Sequence, residues 1–390
     1  MIRAQCLLLA SYSLFAFATV AAPAACKTPE RGEHAAQPYR IWTGSGFPAV
    51  ARLRDVPGMT HRTIHRATAA GYKFLHGAAI LEHAGIFYAT WANSPVNENG
   101  PFETLQGRRS KDEGKTWSPV EMIAPDPPGP QRHSHGVLLV HEGKVWCICS
   151  RFGIGTPGRH FPGLQAEAFV LDPASDRWQS KGIVMDNCWP CDQPIRMTNG
   201  DWITGGLDRD GMPVVAISRQ DDLTRWTIVH IPVATAMKPS FAETTVCSDR
   251  NSVLAVIRGG GGIAWIATSE DFGHTWTITR PSNLPMARAK PYLGKLSTGQ
   301  LYLLFNPIDR DVLAIAVGAP GQMTLNRVWR IRHGKSGPPR FPGRAKSKQW
   351  SYPYGYEFNG RLYVVYSIGK ENCGLSILPL QALRPCDESP

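Results

Sequence analysis

Beyond its first segment the chain has no apolar run long enough to cross a bilayer as a helix, so no integral membrane segment is expected there. It lacks an Arg/Lys-rich helical stretch and any nucleic-acid motif, which sets nucleic acid aside as a partner. The glycine run 259–262 has neither the Lys-Ser/Thr pair nor the following helix of a phosphate loop, and reads instead as a tight hairpin. No linker or shift in composition divides the sequence into separate domains. Outside the cysteines no residues show metal-ligand spacing, so neither metal nor cofactor is expected, and calcium has no support.

What is present is turn chemistry. The 390 residues include 38 Gly and 32 Pro, which suits many short strands joined by turns in a soluble globular protein. Residues 1–25 read as a secretory signal: Arg3 begins it, Leu7 to Ala22 form the apolar stretch, and Ala22-Pro23-Ala24 is the small-residue exit. The chain is then expected in a secreted, periplasmic or extracellular setting, with a lipid anchor at Cys26 as an alternative. Residues 26–390 form the single expected domain, and a monomer is expected.

In an oxidising compartment the cysteines other than Cys6 read as disulfide partners, with pairing left open. The alternative is a four-thiolate zinc site from Cys147, Cys149, Cys188 and Cys191. The formal net charge of +11 favours acidic partners such as uronate-bearing, sulfated or sialylated glycans; simple solubility is the plain alternative.

One sentence is written twice. Ser110 to Trp117 and Ser269 to Trp276 share the pattern Ser-x-Asp-x-Gly-x-Thr-Trp. The Asp can bond the backbone of its own turn, Gly supplies positive φ, and Trp packs beneath the hairpin. Ser218 to Trp226 keeps Asp221, Thr224 and Trp226 of the pattern, and Asp172 to Trp178 is a weaker fourth copy. A second repeat consists of turn-then-strand signals at Gly85, Gly143, Gly200, Asn251, Gly299 and Gly360. Their spacing of about 50 to 60 residues is the period of a four-stranded propeller blade. The expected fold is therefore all-β, a six-bladed β-propeller of antiparallel blades. Tyr39 to Gly44 is expected to close the ring, and a seventh blade built on Val50 to Arg66 is the alternative.

The Ser-x-Asp-x-Gly-x-Thr-Trp pattern is the Asp-box, and with the blade order it makes most of the chain resemble the sialidase superfamily. The resemblance implies three arginines that bind a substrate carboxylate, a Tyr–Glu nucleophile and an Asp acid/base. By that resemblance Glu243 with Tyr352 would be the nucleophilic pair, and Arg258 and Arg310 two of the arginines. His76 stands in the slot of the first arginine, and the acid/base region Asn93 to Glu103 holds Glu98 and Glu103 but no Asp.

That departure resembles propellers that cleave rhamnose–glucuronate linkages or ulvan, which use His with Tyr and Arg. His76-Gly77 recurs as His135-Gly136 about 59 residues on, one blade later, so both histidines are expected to face the central channel. His76 would be acid or base and His135 its partner. Lys290 and Tyr292 open the fifth blade, while Arg151, Arg159, His133 and His160 lie on neighbouring loops. Lys290, Arg151 and Arg159 join Arg258 and Arg310 as candidate substrate-binding cations, each with solvated or structural roles as the alternative.

The expected function is cleavage of glycosidic linkages in an acidic glycan or polysaccharide, as hydrolase or lyase. An exo-α-sialidase with a remodelled site and a non-catalytic glycan-binding propeller are the alternatives.

Overall fold

The computed structural model describes residues 37–127, 129–153 and 160–384. They are almost entirely β-structure, in six antiparallel sheets. Blade 1 runs outward through Phe74–His83, Ile86–Ser94, Thr104–Ser110 and Glu121–Ala124. Blade 2 follows through Gln131–His141, Lys144–Gly153, Gln165–Asp172 and Arg177–Asp186. In blade 3 the inner position is shared by Trp189–Pro190 and Ile195–Arg196, both paired with Trp202–Leu207. Blades 4 and 5 begin at Thr244–Asp249 and Tyr292–Lys295.

Blade 6 takes three strands from Trp350–Phe358, Arg361–Ile368 and Asn372–Pro379, and its outer strand, Thr60–Arg66, from the start of the chain. This pairing joins the two ends of the propeller, and the inner strands of blades 1 and 6 pack together. The ring closes with six blades. Thr60–Arg66 is its closing strand, where Tyr39 to Gly44 was expected. The latter segment instead bridges blades 4 and 5 from outside, through Tyr39 to Ser282 and Trp42 to Leu325. Because Thr60–Arg66 is used up in blade 6, Val50 to Arg66 builds no seventh blade.

The two sequence repeats occupy two fixed places. The turns at Gly85, Gly143 and Gly360 join the first and second strands of their blades. Each follows a residue that also has positive φ (Ala84, Glu142 and Asn359), which matches the twist of the flanking strands. Each Asp-box joins the third and outer strands. In the first, Asp112 accepts from the Thr116 amide at 2.8 Å and hydroxyl at 2.6 Å, and Ser110 accepts from the Gly114 amide at 2.9 Å. Asp271, Thr275, Ser269 and Gly273 repeat this geometry in blade 4. A Cβ on Gly114 would stand 2.9 Å from Leu375 of blade 6, and one on Gly273 would stand 2.7 Å from Ile203 of blade 3. The box therefore also locks one blade against the one before it. In the degraded copy Asp222 makes the turn bonds to Thr224, whereas Asp221 pairs with Arg196.

The cysteines depart from expectation. Cys147, Cys149, Cys188, Cys191, Cys247 and Cys373 are buried free thiols, used as small apolar packing groups. Burial pushes the Cys247 thiol up to about 12, so it stays protonated. Among the described residues no His/Cys/Asp/Glu group has metal-holding geometry, the four-thiolate alternative included. No helix among them is long and apolar enough to cross a membrane. The expected signal segment, Cys26 and Cys386 lie outside the described residues.

Candidate active site

The inner strands open at one end of the channel, where a cavity of about 400 Å³ is lined from all six blades. Three inner strands reach it through β-bulges, between His76 and Ala79, between His133 and Gly136, and between Ser351 and Tyr354. A bulge re-aims a side chain that regular pleating would send into the blade. Gly77 shows what this requires. Its φ is 58°, and a Cβ there would sit 2.1 Å from the His135 ring, so only glycine lets the two histidines adjoin. Tyr352 has a φ of 59° although it is not glycine, a costly backbone held where the cavity needs its phenol.

The floor is built on Tyr352. Its hydroxyl donates to Glu243, and Arg258 Nη1 donates both to Glu243 at 2.6 Å and to the phenol oxygen at 3.1 Å. All three side chains are buried. Burial and the Glu243 carboxylate hold the phenol well above the usual tyrosine range, against the pull of Arg258 and Arg310, so it is protonated at rest. Burial disfavours the charge on Arg258, but Glu243 and Tyr352 together outweigh it and raise the guanidinium above its ordinary value. Arg310 lies over the Tyr352 ring at 5.6 Å, held by Gln349 and the Arg288 carbonyl.

His76 packs its ring 3.8 Å from that of Tyr352 and shares a hydrogen bond of 3.2 Å with Ser367. Its Nε2 is 3.6 Å from Glu98. His135 meets His76 edge-on at 5.9 Å and receives the Trp189 indole N–H at its carbonyl, 3.0 Å away. Burial, then nearby cations, keep both imidazoles well below the usual histidine range, and both are neutral.

Lys370, which no motif or spacing joins to this site, grips both oxygens of Glu98 with its ammonium at 2.6 Å and stands 5.9 Å over the Tyr352 ring. Glu103 is buried in the same lining. Ser134 donates to it at 2.6 Å, its second oxygen has no partner, and burial raises its pKa to about 8. A third wall is apolar, made by Phe161, Trp189, Leu207 and Phe241. Trp189 opens blade 3 as the histidines open blades 1 and 2, so the blade period was the signal that could have found it.

The structure thus brings His76, His135, Glu243, Tyr352, Arg258 and Arg310 into one cavity. Lys290 lies beneath the floor, its ammonium bonded to the Cys191 and Pro353 carbonyls, and ties blades 3, 5 and 6 together. Tyr292 packs on Tyr354 at 4.4 Å, in the core. Arg151 turns away and shares Glu167 with His133, at 3.2 and 3.0 Å. His160 packs its ring at a tilt 4.7 Å from that of Phe241, and Arg159 lies outside the described residues.

The likeness to known proteins is confined to part of the sequence and to the fold. Residues 175–364 match the BNR repeat-like domain. No curated protein matches the sequence. Among solved structures, a protein of unknown function from Dyadobacter fermentans superposes with a TM-score of 0.63 at 17% identity, covering 83% of this chain and 99% of its own. Hadza microbial sialidase Hz136 gives 0.64 at 18% identity, over 83% of this chain and 69% of its own. Trypanosoma rangeli sialidase in complex with sialic acid gives 0.61 at 13% identity, over 84% of this chain and 60% of its own. The likeness is one of fold.

Proposed function

We propose that this sialidase-like BNR-repeat β-propeller is a secreted glycosidase acting on an acidic glycan, with Tyr352 as its nucleophile. The observation that carries the reading is the Tyr352–Glu243–Arg258 group, a phenol donating directly to a carboxylate that a guanidinium holds in place. The same fold in proteins named as sialidases supports it.

The chemistry runs in two steps. The Tyr352 oxygen attacks the anomeric carbon as its proton passes to Glu243, and the bond to the leaving oxygen breaks. Glu103, whose pKa of about 8 keeps it protonated at neutral pH, gives the leaving oxygen its proton. Water then attacks the glycosyl–tyrosine, losing a proton to Glu103 while Glu243 returns one to the phenolate. Two carboxylates with opposite surroundings serve two roles. Three cations (Arg258, Arg310 and Lys370) face the carboxylates Glu98 and Glu243, with Glu103 neutral, so the cavity has a net positive charge suited to an acidic sugar.

A uronate lyase is the second reading. It is favoured by the neutral His76 ring against Tyr352, in the slot where the resemblance places an arginine. One assay separates the readings: turnover of aryl glycosides of sialic and uronic acids and of polyuronates, by wild type and Tyr352→Phe. Release of aglycone or reducing sugar that fails in the variant supports the glycosidase. Ultraviolet absorbance from an unsaturated uronate would replace it with the lyase. Saturable binding without any turnover would replace both with a glycan-binding propeller.

A further inference from the structure

We infer that a second saccharide site lies beside the catalytic cavity, a cationic cleft between blades 6 and 1 that binds an acidic sugar unit of a longer glycan. The cleft has a volume of about 690 Å³ and is lined by Arg66 and His65 of the closing strand, Tyr72 and Lys73 of the segment entering blade 1, and Gln106 and Arg108 of blade 1's third strand. No Asp or Glu lines it.

Its cations are uncompensated. Among the described residues none of Arg66, Lys73 and Arg108 has a carboxylate within 4 Å, unlike Lys346 nearby, which is bonded to Glu371 at 3.1 Å. Arg108 donates only to the Ile64 carbonyl, at 3.3 Å, and its Nε is buried without a partner. The His65 ring is stacked on Trp91 at 5.0 Å, which fixes its plane, and its Nδ1 is likewise buried and unpartnered. Desolvation works against the charge on Arg108 and outweighs the one raising influence, Cys373; no carboxylate contributes. Three cations without carboxylate partners, two orphaned polar nitrogens and a partly buried tyrosine ring suit a pyranose bearing a carboxylate or sulfate.

The position supports a polymeric ligand. Lys73 lines the cleft and the next residue, Phe74, lines the catalytic cavity, so the two sites adjoin in the chain at the entry to blade 1. A glycan bound at Tyr352 would extend past that entry to reach the cleft. The saccharide identity rests on the acidic-glycan reading, whereas anion binding by the cleft does not.

The test is calorimetric titration of the full chain, as Tyr352→Phe to prevent cleavage, with octagalacturonate, inorganic phosphate and phosphatidylglycerol vesicles. Adding Arg66→Glu with Arg108→Gln should weaken octagalacturonate at least about tenfold, since charge-assisted bonds are lost. In the active parent the same pair should leave turnover of a small aryl glycoside unchanged. Arg66 is exposed, so Arg66→Glu alone reads the effect without risk to the fold. Unchanged octagalacturonate affinity in these variants overturns the site. So does phosphate or vesicle binding that the substitutions abolish while octagalacturonate binding survives. Failure of the cavity reading would appear separately, as absent turnover with cleft binding intact.

Discussion

Glu243 and Glu103 are the same residue type, both buried in one cavity, yet they are kept in different ways. Glu243 is fully engaged: one oxygen accepts from Arg258, the other from the Tyr352 phenol. Glu103 has a single serine donor and one unpartnered oxygen, and its pKa rises to about 8. Two acids enclosed in one cavity are therefore held differently: both oxygens of Glu243 are engaged, whereas burial dominates at Glu103.

The largest expected effect comes from removing the atom that the Glu243 side organises. Tyr352→Phe should lower turnover by about a thousandfold or more, with substrate binding retained, read from single-turnover kinetics and titration. Next come two stability effects of opposite sign. Arg258→Met leaves Glu243 buried and unpaired, which should cost about 3 to 5 kcal/mol in denaturant unfolding. Glu103→Gln should instead stabilise the fold near pH 8, by on the order of 1 to 3 kcal/mol.

The sign follows from proton linkage. The unfolded chain ionises Glu103 near 4.5 and the folded chain near 8, so the folded state holds the extra proton between them. Its stability is full below about 4.5 and falls as pH rises through about 8, a slope that Glu103→Gln should remove. The same proton should shape activity. Turnover of substrates with poor leaving groups should fall above about pH 8, and Glu103→Gln should hurt them far more than activated aryl glycosides. The smallest effect is expected far from the cavity, where Asp271→Ala should lower the unfolding midpoint by a few degrees and leave kcat/KM unchanged.

The contrast between Asp271 and Tyr352 also explains what was legible in the sequence. The Asp-box is local, because Ser269, Asp271, Gly273 and Thr275 bond within one turn, so its spacing declares its geometry. Two copies and a blade-length turn period then led to six blades. The ring's closure was less legible: Thr60–Arg66 carries no turn signal that points to Asn372–Pro379, some 300 residues away. The cavity divides in the same way. His76 and His135, at blade openings, could be placed by period, and Glu243, Arg258 and Tyr352 by resemblance. Lys370 could not, because its partner Glu98 is 272 residues distant and only the closed ring joins them. The cysteines misled because secretion suggests disulfides, whereas each of the six described ones is a buried free thiol. Arg151 misled because a basic residue near the channel can still be consumed by a structural acid, Glu167.

The most direct measurement is to trap the intermediate. Wild-type protein would be incubated with 2,3-difluorosialic acid and with a fluorinated uronosyl fluoride, quenched in acid, and digested for peptide mass spectrometry. One glycosyl adduct per chain, mapped to Tyr352 and absent from Tyr352→Phe, is the expected result. An unmodified Tyr352 under conditions where the enzyme turns over either sugar, or an adduct mapped to another side chain, would contradict the assignment of the nucleophile.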